Sequence, residues 1–130
     1  ALAVPSFRKI NTRKSIQAPL MVSCHKIKHL VKIPTLEADT IILNLEDGVA
    51  KEEKPFALVL CAIFLSYYKE CDKKLVVRVN SLSESGYEEI TYLNQFMPDA
   101  IRVPKIHNTQ EVNSVLALLH PQVVLHLSIE

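Results

Sequence analysis

Five short apolar runs, each separated from the next by enough chain for a helix, constrain the fold of this chain more than any other feature. They are Leu20-Met21-Val22, Thr40 to Leu45, Lys74 to Val79, Ala100 to Val103 and Val123 to Ile129. Strand followed by helix, repeated, predicts an α/β fold with a parallel sheet. The second run is unbroken over Ile41-Ile42-Leu43 and closes at Leu45, the pattern of a strand covered on both faces. Helices are expected from His25 to about Leu36, cut short by Pro34, and from Lys51 to about Glu70, with Pro55 in the first turn. Two more are expected from Tyr87 to Phe96, closed by Pro98, and from Gln110 to Leu119, capped by Thr109 or Asn108.

Two architectures fit this order. One is an open, doubly wound sheet of the flavodoxin-like kind. The other is the first five βα units of a TIM (β/α)8 barrel, which needs about 250 residues in all. An open-sheet domain would cover its last strand with a helix, and none follows the fifth run, so the incomplete barrel is the expectation. On that reading residues 1–19 form an irregular basic arm ending at Pro19, and residues 20–130 form the barrel domain. The helix from Lys51 is apolar nearly all round, so it needs cover from a second subunit or from further chain. A homo-oligomer is expected.

A chain of 130 residues with net charge +1 and no basic stripe interleaved with aromatics gives no reason to expect nucleic acid. The longest apolar stretch, Phe56 to Leu65, is well short of the roughly 18 residues of a membrane span, and no membrane anchor is expected. Cys24, Cys61 and Cys71 are odd in number and not closely paired, which argues for reduced thiols inside a cell. No acidic residue precedes Glu37, whereas Arg8, Lys9, Arg13, Lys14, Lys26, Lys28 and Lys32 all do. A basic start without acids suits an organellar transit segment, an arm for an anionic ligand, or a plain solvated leader. The cytoplasm is the expected location, with the mitochondrial matrix as alternative.

Each run ends in a group able to do chemistry. Ser23-Cys24 follow the first, Glu46-Asp47-Gly48 the second, Arg78 and Asn80 the third and Lys105 the fourth, and Glu130 ends the fifth. In a parallel sheet these ends converge on one rim, where α/β proteins place their sites. Arg78 offers a planar fork for a carboxylate or phosphate, although a surface ion pair is the commoner use of arginine. Glu130 offers oxygen to a hard cation such as Mg²⁺, or is a polar strand end. Lys105 can hold a phosphate or pair with Glu46 or Asp47. Glu46 and Asp47 have a plainer reading too, as the opening of a solvated turn. Cys24, His25 and His29 hint at a metal pair, but no third and fourth ligand stands at suitable spacing.

With these residues in view, the chain resembles the citrate lyase β-subunit family of the HpcH/HpaI aldolase superfamily. It is most similar to the citramalyl-CoA lyase, or citrate lyase β-like, branch. The resemblance runs from about Leu20 to Glu130. It is carried by Lys26-Ile27-Lys28, Ile33-Pro34-Thr35-Leu36, Leu45-Glu46-Asp47-Gly48-Val49, Glu53-Lys54, Arg78-Val79-Asn80-Ser81, Val103-Pro104-Lys105 and Ile129-Glu130. It implies a TIM barrel that cleaves a β-hydroxyacyl thioester, of CoA or an acyl carrier, to an acetyl thioester and a 2-oxo acid with Mg²⁺. By motif, Arg78 would grip the oxo-acid carboxylate, with Asn80 and Lys105 beside it on the substrate. Glu130 would be a metal ligand, and Glu46 and Asp47 would support the metal-bound water shell.

The chain departs from the family pattern at Asn44, where an aspartate is usual, and at Ser23-Cys24, where Pro-Gly is usual. The family's second metal aspartate belongs to a later strand, beyond Glu130. The first 130 residues are therefore expected to be inactive alone and to serve as the amino-terminal portion of the lyase. The competing expectation is a barrel fragment that acts as an interaction module.

Overall fold

The computed structural model describes residues 19–46, 49–68 and 72–128. Strand β1 spans Leu20–Ser23, β2 Thr40–Asn44, β3 Lys74–Arg78, β4 Ala100–Pro104 and β5 Val124–Ser128. All are parallel, and they lie side by side in the order β1-β2-β3-β4-β5. An open flavodoxin-like sheet reverses its strand order at a switch point, whereas a barrel advances one strand at a time. The sequential order therefore identifies five units of a TIM-barrel-like fold.

Helices alternate with these strands, as expected, with different bounds. Helix α1 is a single turn, Ile27–Leu30, followed by a 3-10 turn at Ile33–Thr35. The expected longer helix does not form: Lys26 supplies no side-chain cap, and Pro34 stands at the start of the second turn. Helix α2 spans Lys54–Tyr67 after a 3-10 turn at Lys51–Glu53, with Pro55 in its first turn, where no amide is missed. Helix α3 spans Gly86–Asn94 and α4 Thr109–Leu118. The cap of α4 is Asn108, whose side chain accepts from the Glu111 amide at 2.9 Å.

Ile41, Leu43, Leu75, Val77, Ile101 and Val103 face the helices and are essentially buried, together with Ala57, Cys61, Phe64 and Leu65 of α2. Ile42, Val76 and Ala100 form a second buried group on the opposite face, which is the inner face of a barrel. Strand alternation and the pairing register then place Ser23, Asn44, Arg78, Arg102 and His126 in one row across that inner face. The outer side of α2 leaves Phe56, Val59, Ile63 and Tyr67 exposed, in line with the apolar pattern of its sequence. The arm before Pro19, and Cys71, lie outside the described residues.

Candidate active site at the strand ends

Because all five strands run the same way, their carboxyl ends share one edge. Asn44 ends β2 beside Arg78 at the end of β3, and the Leu45 amide continues the ladder by donating to the Arg78 carbonyl at 2.9 Å. The Asn44 side-chain oxygen accepts from the Glu46 amide at 3.1 Å. That bond turns the chain so that the Glu46 carboxylate meets Arg78, Oε1 to Nε, at 2.8 Å, with the two side chains 13% and 15% exposed. A guanidinium and a carboxylate on neighbouring tips, mostly removed from water, attract each other more strongly than a surface pair.

Behind this pair lies a buried polar network. The Asn80 amide N–H donates to Glu89 Oε1 at 2.8 Å, and its side-chain nitrogen donates to Glu89 Oε2 at 2.6 Å and to the Leu45 carbonyl at 3.1 Å. Ser85 donates to Glu89 Oε2 at 2.7 Å, and the Lys54 ammonium donates to the Asn80 side-chain oxygen. Asn80 is fully buried and Glu89 is 3% exposed. Buried polar atoms are costly without partners, and here the loop after β3 is tied to β2, α2 and α3 by satisfying them. Gly86 is required at the start of α3, since a Cβ there would lie 2.8 Å from the Ser81 carbonyl oxygen. Its amide donates to that same oxygen at 3.0 Å.

Lys54 and Ser85 also line a cavity of about 680 Å³, with Val49, Lys51, Pro55 and Glu84. At the first tip, Cys24 is buried and faces Cys61 of α2. The Cys61 thiol is held well above its ordinary range by its hydrogen bond with Cys24, then by burial and the nearby Cys24 and Glu89, so it stays protonated. His25 Nε2 lies 3.7 Å from Glu53 Oε1. Lys105 is exposed at the end of β4 with a left-handed backbone, φ 55°.

Of the residues singled out by sequence, Arg78 and Glu46 are brought into contact, and Asn80 lies directly behind them in the network with Lys54. Lys105 is on the same edge without an ion pair among the described residues. Asp47 and Glu130 lie outside the described residues. Among the described residues no group of three or more His, Cys, Asp or Glu stands together as a metal site.

Sequence reasoning missed Glu89, an acidic position within the expected helix, and Ser85, which lies just before it. Their signal was the four-residue spacing on either side of Gly86, which turns both toward the end of β3. Asn44 was marked only as a departure from the family pattern, not as the group that turns Glu46 toward Arg78.

The sequence profile of the HpcH/HpaI aldolase/citrate lyase family matches residues 17–122. The mitochondrial citramalyl-CoA lyase of Mus musculus is 31% identical over 114 residues, covering 83% of this chain and 33% of that protein. The (3S)-malyl-CoA thioesterase of Cereibacter sphaeroides is 33% identical over 101 residues, covering 77% of this chain and 35% of that protein. The chain therefore spans about a third of the length of these relatives. The structure of CitE from Mycobacterium tuberculosis in complex with magnesium, acetoacetate and coenzyme A superposes with a TM-score of 0.62 at 23% identity. The match covers 82% of this chain and 38% of that one, and it shows the shared fold.

Proposed function

We infer that this chain, which belongs to the HpcH/HpaI aldolase/citrate lyase family, forms the amino-terminal strands of a barrel that cleaves a β-hydroxyacyl thioester. Its products would be an acetyl thioester and a 2-oxo acid. The observation that carries this reading is the contact of Arg78 with Glu46 at 2.8 Å on adjacent strand tips, inside the family-matched region. A citramalyl-, malyl- or citryl-thioester, of CoA or an acyl carrier, would be the substrate.

In this reading Arg78, standing beside Glu46, binds the carboxylate of the oxo-acid half with its planar guanidinium. Glu46 fixes the plane of the guanidinium and offsets part of its charge, so the carboxylate is oriented as well as attracted. Asn80, locked by Glu89, holds the Lys54 ammonium toward the cavity beside Val49 and Pro55, where the thioester arm would lie. Lys105, exposed on the same edge, would meet a second anionic group of the substrate. Lys105 and Lys54 would thus anchor parts of the substrate that do not react.

Glu46 is turned inward at the site, and the sequence holds two further carboxylates, Asp47 and Glu130, oxygen donors of the kind a hard divalent cation takes. In this reading Glu130 would be an Mg²⁺ ligand, with Glu46 and Asp47 supporting its waters. The ion would supply Lewis acidity at the oxo-acid oxygen.

No described helix is long and apolar enough to cross a membrane. We place the protein in the cytoplasm, or alternatively the mitochondrial matrix, as a homo-oligomer that covers the apolar outer side of α2. That exposed side also favours a second reading, a fragment of the barrel that serves as an interaction module without turnover.

A coupled assay for acetyl-CoA release from the three thioesters with Mg²⁺, run on the full-length protein, separates the two readings. Release supports the lyase. Its absence for all three, with stable binding of a protein partner through α2, supports the module.

A further inference from the structure

We propose that Arg102 is a specificity residue: standing one strand from Arg78 on the inner face, it takes the distal carboxylate of a 2-oxo dicarboxylate. The site then favours thioesters that yield a doubly anionic oxo acid over those that yield a singly anionic one. This deepens the lyase reading and rests on it.

Register carries the placement. Arg78 pairs with Arg102 across β3 and β4, and Arg102 pairs with His126 across β4 and β5. Their neighbours Val77, Ile101 and Leu125 belong to the helix-side core, so strand alternation sends all three polar residues to the inner face. Adjacent strands lie about 4.8 Å apart, close to the separation of the carboxyl groups in a four-carbon diacid. The Val79 amide donates to the Arg102 carbonyl at 3.1 Å, which fixes this register at the strand end.

Charge points the same way. On this face the described charged groups are Lys74, Arg78, Arg102 and Glu46, with His126 at the row's end. Glu46 pairs with Arg78, and no carboxylate among the described residues pairs with the half-buried Arg102. Two like charges on adjacent strands, partly shielded from water, repel each other, and Glu46 offsets that of Arg78, so an anion that reaches Arg102 is favoured there. Burial first, and then the charges of Arg102 and Lys74, push the His126 imidazole below its ordinary value of 6.5. A neutral imidazole there remains able to hydrogen-bond a carboxylate.

Calorimetric titration of the full-length protein with oxaloacetate and with pyruvate, in the presence of Mg²⁺, tests the proposal. We expect oxaloacetate to bind about tenfold more tightly than pyruvate, as one added charge-assisted contact supplies. Arg102→Met should weaken oxaloacetate by about tenfold and leave pyruvate within about twofold, and Arg102→Lys should retain part of the preference. If Arg102→Met fails to fold by circular dichroism, Arg102→Gln carries the same comparison.

Equal affinity for the two acids, or an equal effect of the Arg102 variants on both, overturns the proposal. If Arg78→Lys still weakens both acids in that case, the oxo-acid site stands and only the role of Arg102 falls. If neither acid binds the unaltered protein, the lyase reading fails as well.

Discussion

Asn80 and Glu89 are joined twice, backbone amide to Oε1 at 2.8 Å and side-chain nitrogen to Oε2 at 2.6 Å, with both residues almost wholly out of water. The pair fastens the loop after β3 to α3. Glu89→Ala leaves two buried Asn80 donors and the Ser85 hydroxyl short of an acceptor, and should cost about 2–4 kcal/mol. Glu89→Gln keeps one acceptor and should cost less. Urea unfolding measures both, and a loss below about 0.5 kcal/mol for the alanine variant would mean the network is not formed.

Asn108 is the one helix cap in the described chain that rests on a side chain, accepting from Glu111 at 2.9 Å, while Glu111 in turn accepts from the His107 amide at 2.7 Å. Asn108→Ala should lower stability by about 1 kcal/mol, and Asn108→Asp should leave it nearly unchanged. Thermal unfolding of the two variants side by side reads the difference.

Met97 follows α3 with φ 52°, left-handed backbone that a side chain disfavours, and it is 40% exposed, so little packing is lost on truncation. Met97→Gly should therefore raise stability by about 1 kcal/mol. A neutral or negative effect would show that the Met97 side chain contributes packing that outweighs its strain.

The order of elements was legible because each strand is a compact apolar run and most turns are marked by proline, glycine or a capping residue. The bounds were less so. His25 to Leu36 carries helical spacing, yet without a cap and with Pro34 inside it only Ile27–Leu30 becomes α-helix. At the site, Arg78 and Glu46 were legible as strand ends, since parallel strands bring their tips together whatever the intervening helices do. The Asn80–Glu89 tie was not, because Glu89 lies on a helix whose neighbour Glu88 is exposed. Which of two adjacent acids turns inward depends on how α3 docks, and that is a tertiary choice.

His126 contributes a pH dependence of its own. Its folded value lies below the 6.5 of the free side chain through burial and the charges of Arg102 and Lys74. The unfolded chain therefore binds its proton first as pH falls. Stability should drop from pH 6.5 downward until the folded imidazole also protonates, and then level off for this group. His126→Gln should flatten that segment of the stability–pH curve, read by denaturant midpoints at fixed salt.

The central claim is that Arg78, held by Glu46, grips the oxo-acid half of a thioester under cleavage. Arg78→Lys keeps a cation for Glu46 but removes the planar fork, so the fold should survive while binding geometry is lost. The most direct measurement is kcat/KM for acetyl-CoA release by the full-length protein with and without this change, on whichever thioester it cleaves. The account predicts a fall of about a hundredfold or more with unfolding midpoints unchanged. An unaltered kcat/KM in a folded variant would contradict it.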